Sequence, residues 1–132
     1  MRLMLELEAL WHLWGARRRV ARSSAREIVS SLDATSPGRR RASAAAVHRA
    51  YRRALGRLRG DACLVRAYGL ARMLRHHGHD ADLVIGVRFR GHLERGHAWV
   101  EIDGAPFGEP EGKTEDYEEF LRTPAREGER LP

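Results

Sequence analysis

Cysteine is almost missing from this chain: Cys63 is the only one in 132 residues. A single thiol excludes an internal disulfide, which sets aside the disulfide-stapled secreted scaffolds and suits a reducing cytoplasm. Lysine is as scarce, with Lys113 alone, so the basic charge is carried by arginine, a pattern that codon bias explains as readily as a phosphate-binding surface. No apolar run is long enough to cross a bilayer. The opening stretch MRLMLELEALWHLW is broken by Glu6 and Glu8, and no small-residue cleavage site follows it. Neither a signal peptide nor a membrane span is expected, and a cytoplasmic location is. No internal repeat is visible. Of the seven histidines, the cluster His76, His77 and His79 fits no standard zinc motif, and no metal or organic cofactor is expected.

The length suffices for one domain with its own core. A net charge of +6 conceals a split: residues 1–60 carry 14 basic and 4 acidic side chains, and residues 61–132 carry 10 and 14. Charge without a recognition motif does not make a nucleic-acid protein, so no nucleic-acid partner is expected. The basic helical half, around Arg49, Arg52 and Arg53, is expected instead to dock a protein.

Three segments are expected: helices and a linker over 1–42, a catalytic core over 43–110, and a charged tail over 111–132. Leu3, Leu7, Leu10 and Trp14, with Met4 and Trp11 beside them, predict a helix whose apolar face packs on the core. The alternative, a helix lying on a membrane surface with Arg17, Arg18 and Arg19 at its flank, is not favoured. Helical spacing resumes at Arg26, Ile28, Val29 and Leu32 and breaks at Pro37 and Gly38. Ser43 is an N-cap for a helix with Val47, Tyr51, Ala54, Leu55 and Leu58 on one side. Gly60 ends it, Asp61 caps the next, and Leu64, Ala67, Tyr68, Ala71 and Leu74 carry the period to a stop at Gly78.

Ala81 to Phe89 is a β-branched run of strand length, and 90–96 reads as a loop. His97 to Ile102 is a second strand, Asp103-Gly104 a two-residue hairpin turn, and Ala105 to Glu109 the return. In the tail, a helical turn or two is expected around Tyr117, Phe120 and Leu121. Helices followed by antiparallel strands give an α+β fold, the N-terminal helices packing against a small sheet.

A thiol at a helix N-terminus sees unpaired N–H groups and the positive end of the helix dipole, which favour the thiolate. Cys63 is therefore a candidate nucleophile, the alternative being a buried structural cysteine. His97, on a rigid strand beyond that helix, is the candidate base. His92 lies in the loop and is a weaker one. His76, His77 and His79 read as a solvated helix end, and His12 and His48 lack an acid partner in sequence. A histidine base needs a group to fix its tautomer. Counting back from the Asp103-Gly104 turn brings Glu109 opposite Ala98 and beside His97, whereas Glu101 lies about 13 Å and Asp103 about 20 Å along the strand from it. Glu109 is the candidate orienting acid, with Asp103 the fallback; otherwise Glu109 is a solvated residue before Pro110.

CLVRAYGLARMLRHHGHDADLVIGVRF followed by GHAWVEIDGAPFGEP resembles the transglutaminase-like leader peptidases of lasso-peptide biosynthesis, over about Ala46 to Pro110. The resemblance rests on the CL-x-R helix start, the histidine-rich LR-x-x-GH end, the VIGV strand and HAWVE-x-DG. It implies a papain-like or transglutaminase-like core and a catalytic triad in which Cys63 and His97 act with an acid. The acid position falls on Glu109, where the family usually has aspartate. The implied activity is a cysteine protease that removes the leader from a ribosomally made precursor peptide. Implied partners are a separate leader-recognition protein, since nothing before Ala45 forms strands like such a domain, and an ATP-dependent lasso cyclase. Two other readings stay open: acyl transfer to an amine, and a non-catalytic peptide-binding module.

Overall fold

A computed structural model describes residues 2–33, 42–57, 63–90, 93–110 and 112–123; the side chains of 2, 33, 89, 90 and 93–95 lie outside that description. Four helices, α1 (Arg2–Arg22), α2 (Ala25–Asp33), α3 (Ala44–Arg57) and α4 (Cys63–His76), precede the strands β1 (Ala81–Arg90), β2 (Leu93–Ile102), β3 (Ala105–Phe107) and β4 (Glu118–Arg122). The strands form one antiparallel sheet in the order β3-β2-β1-β4. The fold is α+β, as the order of elements in the sequence predicts.

Local chemistry sets the helix ends. Ser24 and Glu27 cap α2 reciprocally: the Glu27 N–H donates to Ser24 Oγ (3.2 Å) and the Ser24 N–H to Glu27 Oε1 (3.0 Å). That backbone bond from Ser24 holds the Glu27 carboxyl below its usual range. Ser43 Oγ accepts from the Ala46 N–H at 3.1 Å, the N-cap expected for α3. At the end of α4, Gly78 takes φ 85°. Its N–H donates to Arg75 O (2.9 Å), and the His79 N–H reaches back to Leu74 O (3.0 Å), a Schellman stop. Pro37, Gly38, Leu58, Gly60, Asp61 and His92 lie outside the described residues.

One buried cluster joins Ala9, Leu13 and Ala16 of α1 to Ile28 and Leu32 of α2, Val47 and Tyr51 of α3, Tyr68, Ala71 and Leu74 of α4, and Leu83, Ala98 and Val100 of the sheet. Its α1 face differs from the one expected. Leu3, Met4, Leu7, Trp11 and Trp14 are 50–72 % exposed, while Glu6, Ala9, His12, Leu13 and Ala16 point inward. Two stripes satisfy a 3.6-residue period here, and the inward one, with Ala9 and Ala16 in it, packs on α3 and α4. Glu6 is ion-paired where it is buried, with Arg57 Nε 2.7 Å from its Oε1.

Of the histidines beside Gly78, His76 is exposed as a solvated helix end requires, and the other two are not. His77 and His79 are buried; His77 Nε2 donates to Glu8 Oε2 (2.8 Å) and His79 Nε2 to Ala42 O (2.7 Å). His12 does have an acid, Glu8, 3.7 Å away and four residues earlier, and its ring meets His76 edge-on at 5.6 Å. Burial, which outweighs the attraction of Glu8 and is reinforced by Arg72 and His76, pushes the His12 pKa down from 6.5 to about 4. An unfolded chain therefore binds more protons between those values. The stability His12 confers is intact above pH 6.5 and is lost as the pH falls toward 4. Urea unfolding is expected to show a loss of roughly 1–2 kcal/mol between pH 7 and pH 5, and a flatter profile in His12→Gln. An equal slope in both proteins would remove His12 as the cause.

Two strand expectations are corrected. β2 starts at Leu93, so His97 sits inside the strand and pairs with Gly86. Tyr117, Phe120 and Leu121 do not form helical turns: a short 3₁₀ turn over Lys113–Asp116 leads into β4, which pairs with β1. A bulge opposite Ile85 and Gly86 turns Phe120 outward, 65 % exposed. Charge made this strand hard to see, yet charge holds it: Arg122 Nη2 donates to Glu119 (2.7 Å) and Glu101 (2.7 Å). The Glu119 bond, followed by Glu101, raises the guanidinium's pKa above its ordinary range.

Candidate active site

Cys63 is the first residue of α4 and is half-buried. Its helix lies against β1 and β2. The Asp103-Gly104 turn forms as predicted, with φ 54° and 79°, and pairs Ile102 with Ala105, Glu101 with Pro106 and Val100 with Phe107. Gly108, at φ 76°, then turns the chain away. Extending the count by two pairs puts Glu109 level with Ala98, and its carboxylate Oε1 lies 3.1 Å from His97 Nε2. An ionised carboxylate only accepts, so Nε2–H donates and Nδ1 is left as the ring's basic nitrogen.

The same geometry disposes of the neighbouring acids. Asp103 is exposed at the turn, at the far end of the strand from His97. Glu101 is buried and occupied, accepting from Trp99 Nε1 (2.9 Å) and Arg122 (2.7 Å).

Alternation along β2 turns Ala98 and Val100 toward the helical core and His97, Trp99 and Glu101 to the other face. β3 stops after Phe107, leaving the edge of β2 beside His97 unpaired by that strand. A cavity of about 500 Å³ opens around this edge. It is lined by Cys63 and Ala67 of α4, His48 and Tyr51 of α3, His97 and Trp99 of β2, and Phe107 to Pro110. Cys63 and His97 thus share one cavity, although among the described residues no hydrogen bond joins them.

Residues the sequence did not single out hold the imidazole. Trp99 stacks on the His97 ring at 5.8 Å and 23°. Tyr117 approaches it at 5.2 Å and Trp99 at 6.2 Å. Opposite His97 lies Gly86, where an added Cβ would come within 2.8 Å of Trp99 Cη2 and 3.0 Å of Tyr117 Cβ. The glycine in the VIGV run is therefore the floor on which the Trp99 ring and the Tyr117 Cβ rest. Gly86→Val is expected to cost about 1–3 kcal/mol by overpacking and to slow any His97-dependent chemistry by roughly tenfold or more through misplacement. Urea unfolding and rate measurements on the same variant check both, and wild-type values in each would show that the rings need no such floor.

A family model of the transglutaminase-like superfamily matches residues 3–122, from α1 into β4. The chain belongs to the transglutaminase-like superfamily. Searches of curated proteins and of solved structures return no match. The superfamily is a scaffold of cysteine proteases and acyltransferases, and a lone thiol opening a helix beside a strand histidine suits that chemistry. Among the described residues no group of three or more metal-ligating side chains is placed to hold an ion, and no helix is long and apolar enough to cross a membrane.

Proposed function

We propose that this transglutaminase-like protein is a cysteine peptidase that cuts the leader from a lasso-peptide precursor, with Cys63, His97 and Glu109 as its triad. One observation carries the chemistry: a strand histidine held by a carboxylate at 3.1 Å lines the same cavity as the chain's single thiol. The resemblance of the CLVR…HAWVE-x-DG pattern supplies the substrate.

In this reading His97 Nδ1 takes the thiol proton. The Cys63 thiolate attacks the carbonyl of the last leader residue, forming a carbon–sulfur bond and a tetrahedral oxyanion. Backbone N–H groups of the first turn of α4, that of Cys63 among them, face the developing charge. Collapse breaks the carbon–nitrogen bond, and His97 delivers its proton to the departing amine of the core peptide. Water, deprotonated by His97, then opens the thioester and releases the leader as a free acid. Glu109 keeps Nε2 protonated throughout and stabilises the imidazolium. Trp99 and Tyr117 hold the ring plane. A separate leader-recognition protein delivers the precursor, and an ATP-dependent cyclase consumes the freed amine.

Mass spectrometry of a cognate precursor incubated with the protein and its recognition partner tests this. A single cut at the leader–core junction, absent in Cys63→Ala, is the expected result. A new isopeptide in place of free leader acid would establish acyl transfer instead, and a cut that persists without the thiol would leave a binding module.

A further inference from the structure

The mechanism leaves the cavity's charge unused. Arg52 of α3 and Arg66 of α4 both line it, both are exposed, and neither has an ion-pair partner among the described residues. Among the described residues the one acid in the wall, Glu109, is engaged by His97. Arg66 is three residues after Cys63 on the same helix, a spacing that brings Cβ atoms within about 5–6 Å. Arg52 is four residues after His48 on the facing helix, and His48 Nε2 is packed so closely over Gly108 that an added Cβ there would stand 2.8 Å from it. Two guanidinium groups from different helices therefore overlook the space beside the thiol.

Resting on the reading of Cys63 as the reactive thiol, we propose that Arg52 and Arg66 form an anion subsite that receives a carboxylate of the peptide substrate next to the scissile bond. Guanidinium is the side chain best matched to a carboxylate, offering a planar fork of donors and a permanent charge. The subsite would select acidic over neutral peptides at that position. His48 lines the same cavity, and burial first, then the charge of Arg52, lowers its pKa.

The test needs no cognate substrate, because Cys63 is the only thiol. Iodoacetate and iodoacetamide alkylate it by the same displacement: the thiolate forms the sulfur–carbon bond and iodide leaves with the electron pair. Only iodoacetate carries a carboxylate. The ratio of the two rates cancels any change in thiolate population and isolates recognition of the anion. Arg52→Gln with Arg66→Gln is expected to lower the iodoacetate-to-iodoacetamide ratio at least about fivefold, each single variant by less, and added salt to compress the wild-type ratio. Arg49→Gln, outside the cavity, should leave the ratio unchanged. Protection of Cys63 from iodoacetamide by N-acetylglutamate amide, compared with N-acetylglycine, then tells a side-chain carboxylate from a chain-terminal one. Labelling at an unaltered ratio in the double variant overturns the subsite alone. A thiol that neither reagent modifies in the folded protein overturns the subsite together with the nucleophile it serves.

Discussion

Cys63→Ala is expected to lower the initial rate of precursor cleavage by at least about 10⁴-fold, with His97→Ala close behind and the double variant no worse than either single one. That non-additivity is the signature of groups working on one proton. Without the imidazole the thiol loses its base, and without the thiol the imidazole has nothing to activate. Glu109→Gln is expected to cost roughly 10²-fold or more, because an amide can accept the Nε2 proton but cannot balance the imidazolium charge. Asp103→Ala, at an exposed turn, should change the rate by less than about twofold. Initial rates by mass spectrometry under single-turnover conditions separate these. A larger loss at Asp103 than at Glu109 would reassign the acid, and full activity in His97→Ala would dismantle the triad.

The largest effect on stability is expected at Arg75. Its side chain is 1 % exposed and ties its own helix to α2 and β1. Nε donates to Ala81 O at the start of β1 (2.7 Å), Nη1 to Leu32 O near the end of α2 (3.0 Å), and Nη2 to Asp82 Oδ1 (3.3 Å). Removing it strands two buried carbonyls and leaves a cavity. Arg75→Ala should therefore cost about 2–5 kcal/mol, on the scale of about 1–3 kcal/mol for each buried carbonyl left unpaired. Arg75→Lys should recover only part of that, since an ammonium cannot reach three acceptors held in a plane. Urea midpoints at constant slope provide the measurement, and a loss below about 1 kcal/mol for Arg75→Ala would mean that water replaces the guanidinium at no cost.

Arg75 also marks where sequence stops being informative. The periods of α3 and α4, the β-branched run of β1 and the Asp103-Gly104 turn are local signals, and the structure reproduces them. The hairpin count extended that reach to a contact twelve residues apart, because a two-residue turn fixes register. What failed was long-range or degenerate. The partner of His77 is Glu8, from the other end of the chain, and no local pattern announces it. In α1 two stripes share one period, and bulk drew attention to Leu7 and Trp11 when the small residues Ala9 and Ala16 face the core. β4 hides behind its charges. Tyr117 just before it, which packs against His97, looked like part of a tail for the same reason.

Glu109 follows β3 and Tyr117 precedes β4, and these strands are the two edges of the sheet. On a chain made from N-terminus to C-terminus, the thiol leaves the ribosome first, the imidazole next, and the groups that aim the imidazole last. In the proposed mechanism, time thus separates the attacking sulfur from its base. A nascent chain stalled before residue 117 would carry an unarmed thiol, and proteolytic competence would belong only to the finished sheet.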